Sequence, residues 1–236
     1  MQRPGFLAAL TASALAPALV LPPGRARAAD DVRAKLLPGQ RLVAFVVTPS
    51  ATVIDFAGPW EVFQDTGLPG RDNERAFILY LVGPSSSPVE ATAGMQLMPR
   101  FTFANAPRPD IVVVGAQRGA PELIPWLQQQ AKTAEVMMSV CTGAFKFAQA
   151  GLFDGKRATT HHDFYDAFEK QFPKVKLVRG PRFVDEGKVV SAGGLTSGID
   201  LALHVVERFH GAQNANDVAG YMEFNRTQRP APESRA

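Results

Sequence analysis

The stretch EVMMSVCTGAFKFAQAG, residues 135–151, decides the fold of this chain. Its first part, residues 135–140, is rich in apolar residues and predicts a strand. Thr142 then begins a segment with apolar residues at helical spacing, which Gly151 ends in the manner of a helix C-cap. Cys141, the only cysteine in the chain, therefore falls where a strand turns into a helix.

Segments of the same kind occur on both sides of this stretch. Apolar runs at residues 41–48, 76–82 and 110–115 predict further buried strands, and strands that alternate with helices predict a mostly parallel sheet covered on both faces. The fold class is therefore α/β, a three-layer sandwich. Helices are predicted over residues 56–66 (with Pro59 in the first turn), 121–131, 163–172 and 196–210. Short strands are predicted at 95–98 and 158–160. Residues 182–184 and 188–191 are predicted to form a hairpin around the turn Asp185-Glu186-Gly187.

The N-terminus predicts export. Residues 1–28 combine a basic start, an apolar run and the small-residue site Ala26-Arg27-Ala28, which is typical of a secretory signal peptide. The alternative is a disordered or membrane-anchoring tail. We therefore expect a periplasmic or secreted protein with no stable membrane anchor after cleavage. The remaining divisions are a linker at 29–40, one domain at 41–225 and a polar tail at 226–236.

The composition excludes some classes of partner. The chain has 236 residues, of which 46% are hydrophobic and 20% charged, as in an ordinary globular protein. Its formal net charge of +3 falls to zero without residues 1–28, which hold three arginines and no acidic residue. No basic patch remains, so no nucleic-acid partner is expected. No spacing typical of a metal site and no phosphate or dinucleotide loop is present, so neither a metal nor a cofactor is expected.

Cys141 occupies the position of a nucleophile at a sharp elbow. A helix N-terminus lowers the pKa of a thiol from its usual value of about 8.5, so we expect a reactive thiolate. The amides that follow the cysteine are free to donate hydrogen bonds to a developing negative charge. The alternatives are an inert core thiol or an intermolecular link, and position alone does not separate them from a working thiol.

Three segments of the sequence resemble a known family. SVCTGAFKFAQAGLFDGKRATTHH (139–162), SAGGLTSGIDLALHVVE (191–207) and DFAGPWEVF (55–63) are similar to the PfpI/ThiJ-like branch of the class I glutamine-amidotransferase-like superfamily. Within it, the chain most resembles isonitrile hydratases and the sensor domains of AraC-type transcription regulators. The resemblance runs from about residue 41 to residue 221 and implies a flavodoxin-like sandwich with a nucleophile elbow. It also implies a homodimer, as a family-level expectation.

The resemblance implies an acid partner for the cysteine. In the hydratases, an aspartate that matches Asp55 approaches the nucleophile and handles protons. The alternative role of Asp55 is to cap the helix predicted over residues 56–66. Glu61 is the nearby alternative acid, with a packed or solvated role as its other interpretation.

Further site residues carry weaker signals. Thr142 offers an amide and a hydroxyl beside the nucleophile, or is an ordinary residue at a helix start. His161 stands where many superfamily members have a histidine partner, and His162 beside it complicates the assignment. The other histidines in the domain, His204 and His210, are predicted to be structural. The expected oxyanion or substrate-binding residues are Gly115, Ala116 and Gly143.

These observations favour an exported, cofactor-independent enzyme with a cysteine nucleophile, similar to isonitrile hydratase, that adds water to an isocyanide to give an N-substituted formamide. One alternative is a periplasmic small-molecule or redox sensor of the same fold. Another is amidase, protease or glyoxalase-like chemistry. The related regulators carry a DNA-binding region after this domain, for which the chain leaves no room, so a transcription factor is not expected. The expected partner is a small-molecule substrate or ligand.

Overall fold

The computed structural model describes residues 32–71 and 73–226. The predicted signal peptide, the start of the linker and the tail after Arg226 lie outside these residues. The described end of the linker packs onto the domain: Val32 and Leu36 contact its core, and Arg33 pairs with Asp110 at 2.8 Å. None of the described helices is long and apolar enough to cross a membrane.

A seven-stranded sheet forms the centre of the structure. The described strands are β1 (Arg41–Val46), β2 (Phe77–Gly83), β3 (Val89–Glu90), β4 (Gln96–Leu97), β5 (Phe101–Thr102), β6 (Ile111–Val114), β7 (Val136–Val140), β8 (Arg157–Ala158), β9 (Lys176–Leu177), β10 (Phe183–Glu186) and β11 (Val189–Ala192). The order in the sheet is β10-β11-β7-β6-β1-β2-β5, and each neighbouring pair is parallel except β10 with β11. Strands β3 and β4 form a separate antiparallel pair, and β8 and β9 a parallel one.

Helices cover both faces of the sheet, as predicted. They are α1 (Val53–Gln64), α2 (Leu123–Gln130), α3 (Gly143–Gln149), α4 (Tyr165–Gln171) and α5 (Ser197–Tyr221). Alternate residues of β1 point to opposite sides, so Val43 joins a core with α1 and α5, while Leu42 joins a core with α2, α3 and α4. The α/β three-layer sandwich with a mostly parallel sheet is therefore confirmed.

Several element boundaries differ from the sequence prediction. Helix α1 begins before residue 56, so Pro59 lies inside the helix instead of in its first turn. Helix α5 continues beyond residue 210 to Tyr221, with a break at Gly211, where φ is 86°. In the hairpin, Asp185 and Glu186 belong to β10 instead of to the turn.

Helices α1 and α5 approach each other closely where they cross. A Cβ atom on Gly58 would lie 2.8 Å from Cγ1 of Ile199, and one on Gly198 would lie 3.2 Å from Cγ of Pro59. Glycine at both positions therefore lets the two backbones come together. As a result, the first turn of α1 lies beside the segment that leads into α5, at the carboxyl edge of the sheet.

Candidate active site

Cys141 sits at a strained turn between β7 and α3. Its φ is 57°, a left-handed conformation that costs a residue other than glycine about 1–2 kcal/mol. The Cys141 N–H donates a hydrogen bond to the Gly193 carbonyl at 2.8 Å, which helps to hold the turn, and Gly143 leaves room for the end of β6. A Cβ atom on Gly143 would lie 2.1 Å from the Val114 carbonyl oxygen, so only glycine fits there. The geometry is that of the predicted nucleophile elbow.

Asp55 is completely buried and lies next to the cysteine. It is the third residue of α1, and Thr52 holds the N-cap position, so the alternative prediction that Asp55 caps this helix is wrong. Its Oδ2 accepts a hydrogen bond of 2.8 Å from the Ala116 N–H. The Cys141 thiol and the Leu195 N–H also face the carboxyl group. Among the described residues, no group satisfies the hydrogen-bond geometry of Oδ1, which is buried.

Burial dominates the electrostatics of this pair. It raises the pKa of Asp55 to about 6, against the opposing effect of the Ala116 N–H, the thiol and the Leu195 N–H. Burial, followed by the negative charge of Asp55, raises the pKa of the Cys141 thiol to about 12, although the Thr142 and Leu195 N–H groups favour the thiolate. The N–H at the start of α3 therefore lowers the thiol pKa as predicted, but burial and Asp55 outweigh it, so the prediction of a net lowered thiol pKa is wrong. At neutral pH the two groups hold one proton, which resides on sulfur.

The predicted oxyanion residues divide into two kinds. Gly143 and Gly115 are required for packing, since a Cβ atom on Gly115 would lie 2.6 Å from Cβ of Asp55. The N–H of Ala116 is bonded to Asp55, so it is not free to stabilise an oxyanion as predicted. The backbone N–H of Thr142 faces the sulfur, as the elbow requires.

Leu195 is a site residue that the sequence prediction missed. Its N–H lowers the pKa of both the Cys141 thiol and the Asp55 carboxyl, and its backbone is left-handed with φ of 54°. Its side chain is exposed and carries no chemical signal. The preceding pair Gly193-Gly194 is the feature that indicates an unusual backbone at this point.

His161 lies at the edge of the site without a described contact to the sulfur. Its ring packs on Gly194, where a Cβ atom would lie 2.1 Å from Cδ2, and its Nδ1 accepts from the Asp163 N–H at 3.2 Å. The ring of His162 stacks on it at 4.4 Å between centroids. Ligand atoms of His161, His162 and Asp163 lie within 4.8 Å of one another. By distance alone these three side chains could hold a metal ion, a grouping that the sequence prediction did not identify, and the expectation of no bound metal stays a prediction.

The remaining candidates lie away from the thiol. Glu61 is exposed and accepts a hydrogen bond from Gln64 at 2.9 Å. His204 lies 2.7 Å from Asp185, and the ring of His210 packs edge-on against that of Phe77. These contacts fit the structural roles predicted for both histidines.

Comparisons with known proteins find a matching family, similar sequences and a similar fold. Residues 41–208 match the model of the DJ-1/PfpI family. Isonitrile hydratase from Pseudomonas putida is 31% identical over 197 residues, which cover 80% of this chain and 79% of that protein. The HTH-type transcriptional regulator GbdR from Pseudomonas aeruginosa is 32% identical over 177 residues, or 72% of this chain, which spans about half of the regulator's length (47%). A THiJ/PfpI family protein from Pseudomonas syringae superposes with a TM-score of 0.68 at 25% identity, covering 84% of this chain and 79% of its own.

Proposed function

The chain belongs to the DJ-1/PfpI family, and from that premise we propose that it is a cofactor-independent enzyme that uses Cys141 to hydrate an isonitrile to an N-substituted formamide. The observation that carries the proposal is the buried Asp55 carboxyl, which faces the thiol and keeps Oδ1 without a partner among the described residues. The identity with isonitrile hydratase over most of both chains supports the choice of reaction.

The first half of the reaction forms a covalent intermediate. The sulfur attacks the terminal carbon of the isonitrile as the thiol proton passes to Asp55, and Asp55 then delivers that proton to the same carbon. The product of this step is a thioimidate, in which carbon is bonded to sulfur, to hydrogen and, by a double bond, to nitrogen. The raised pKa of Asp55, about 6, suits a group that both accepts and donates a proton near neutral pH.

The second half uses one water molecule and regenerates the thiol. Asp55 takes a proton from the water molecule while the water oxygen adds to the thioimidate carbon. Asp55 then passes this proton to the nitrogen. The carbon–sulfur bond then breaks, the sulfur recovers the hydroxyl proton, and the formamide leaves. The N–H groups of Thr142 and Leu195 face the sulfur and stabilise the negative charge that develops on it in each half-reaction.

The decisive experiment measures formamide production from a panel of aliphatic and aromatic isocyanides. The wild type is compared with Cys141→Ala, Asp55→Asn and, as a matched control on the same helix, Glu61→Gln. Activity that is lost in the first two variants and kept in the third supports the proposal. Equal activity in wild type and Cys141→Ala would show that the thiol is not the nucleophile.

A small-molecule sensor is the second candidate, and the raised pKa of the thiol is the observation that favours it. A thiol that stays protonated at neutral pH is a weak nucleophile but an adequate hydrogen-bond donor to a ligand. The identity with a transcriptional regulator, at 32%, supports the same interpretation. Isocyanides or other small molecules that bind without turnover would identify a sensor.

We also propose that residues 1–28 direct export. The support is the sequence pattern itself, a basic start with an apolar run and an Ala26-Arg27-Ala28 site. Expression of the full chain in a bacterial host, followed by N-terminal sequencing of the periplasmic fraction, tests it. An N-terminus at residue 29 is expected, and an intact chain confined to the cytoplasm would contradict export.

A further inference from the structure

The segment that leads into α5 is held by an ion pair outside the reacting groups, between the partly exposed Arg182 and the buried Asp200. Nε of Arg182 lies 2.6 Å from Oδ2 of Asp200, whose side chain is only 2% exposed. A second nitrogen of the guanidinium donates to the Thr196 hydroxyl at 3.1 Å. The Arg182 carbonyl also accepts from the Gly193 N–H at 2.8 Å. One arginine therefore holds both ends of the segment 193–196.

This segment needs such a restraint because its backbone is strained. Leu195 is left-handed, and it is immediately flanked by Thr196, which Arg182 binds. On the other side, the ring of His161 packs on Gly194. A strained backbone persists only where its surroundings over-determine it. Here the strain has a use, because the same segment contacts the reacting groups. Its Gly193 carbonyl accepts a hydrogen bond from the Cys141 N–H at 2.8 Å, and its Leu195 N–H lowers the pKa values of Asp55 and of the Cys141 thiol.

We propose that Arg182 and Asp200 are positioning residues that hold the Leu195 N–H in line with the Asp55–Cys141 pair. The inference rests on the proposed role of that pair, but it concerns hydrogen bonding and not turnover. The titratable and charged groups around the segment 193–196 are Asp55 on the side of the sulfur, His161 against Gly194, and the Arg182–Asp200 pair on the remaining side. The Leu195 N–H stabilises the charged forms of both reacting groups, so its displacement makes each of them harder to ionise.

The test follows the titration of Asp55 by carbon NMR of labelled aspartate and the amide proton of Leu195 in the same samples. In the wild type both signals should change with one midpoint, near pH 6. The double variant Arg182→Met/Asp200→Leu replaces the ion pair with apolar side chains, a change that folds often tolerate. We expect the Asp55 midpoint to rise, by less than about one unit because the Leu195 N–H is the smallest of the groups that lower this pKa, and the Leu195 response to disappear.

Matched variants separate positioning from general stability. Arg182→Lys keeps the charge opposite Asp200 and should retain the wild-type midpoint. Arg179→Met removes an exposed arginine that pairs with Asp166 and Glu169, and should leave both signals unchanged. If the double variant does not fold, Asp200→Asn takes its place. A folded variant with the wild-type midpoint and Leu195 response would overturn the proposal, whatever the isocyanide activity of the protein.

Discussion

Replacing Asp55 with asparagine should make the Cys141 thiol more reactive towards alkylating reagents while it slows the proposed hydration of isocyanides. With a pKa of about 12, only about one thiol in ten thousand is ionised at pH 8. After burial, the Asp55 charge is the largest cause of that shift. Two unit charges about 4 Å apart at an effective dielectric constant of about 20 interact by about 4 kcal/mol, close to three pKa units. Allowing for partial screening, we expect the thiol pKa to fall by about one to three units, and alkylation at pH 8 to accelerate about tenfold to a thousandfold.

Two rates measured on the same samples test this reasoning. Iodoacetamide labelling, followed by intact mass between pH 7 and 10, reports the thiolate, and formamide formation reports the proton transfers. The asparagine amide neither accepts nor releases a proton near neutral pH, so the rate of hydration should fall about a hundredfold to ten-thousandfold while the rate of labelling rises. Glu61→Gln should change neither rate, because that side chain is exposed. Labelling of Asp55→Asn at or below the wild-type rate would refute the argument that the carboxylate suppresses the thiolate.

Three other predictions concern stability and oxidation. Asp55 has a pKa of about 6 in the folded state and about 3.8 in the unfolded chain, so the folded state holds its proton to a higher pH. As the pH rises from below 3.8 to above 6, the free energy of unfolding of the wild type should therefore fall by about 3 kcal/mol relative to that of Asp55→Asn. Urea titrations at pH 4 and pH 7 measure this, and parallel pH dependence in the two proteins would contradict it. Gly143→Ala should cost about 3 kcal/mol or more, since its Cβ would overlap the fixed Val114 carbonyl, whereas Gly220→Ala, with open space in a helix, should be neutral or stabilise by up to about 1 kcal/mol. Equal denaturation midpoints for those two variants would refute the packing argument. Hydrogen peroxide at pH 7.4 should oxidise Cys141 at least ~100-fold more slowly than free cysteine, because the thiolate is the reactive form; intact mass follows the reaction, and comparable rates would contradict it.

The sheet could be predicted from the sequence because its signal is local. Buried parallel strands are continuous apolar runs, and residues 41–48 and 135–140 contain β1 and β7. The place of Cys141 followed from the junction of a strand with a helix. The position of Asp55 inside α1 was harder to predict, since Pro59 suggested a later start for this helix than the structure has.

The chemistry of the site depends on tertiary contacts that no local pattern carries. Cys141 follows a strand and precedes a helix, which favours a lowered thiol pKa, but the fold buries the sulfur beside a carboxylate and reverses the sign of the shift. Leu195 contributes a backbone N–H, so its side-chain type is uninformative. Ala116 was predicted as an oxyanion donor, and its N–H instead binds Asp55, a residue distant in sequence.

The close approach of α1 and α5 at Gly58 and Gly198 brings distant parts of the chain together at the site, and this affects how the chain folds. The acid comes from the first helix, the thiol from the middle of the chain and the Leu195 amide from the segment before the last helix, so the site contains few contacts between sequence neighbours. Contacts between distant segments form slowly, because the entropy of loop closure opposes them. In a refolding experiment, protection of Cys141 from a thiol reagent should therefore require α1 and the segment before α5 to be docked, and should serve as a marker of the completed native state.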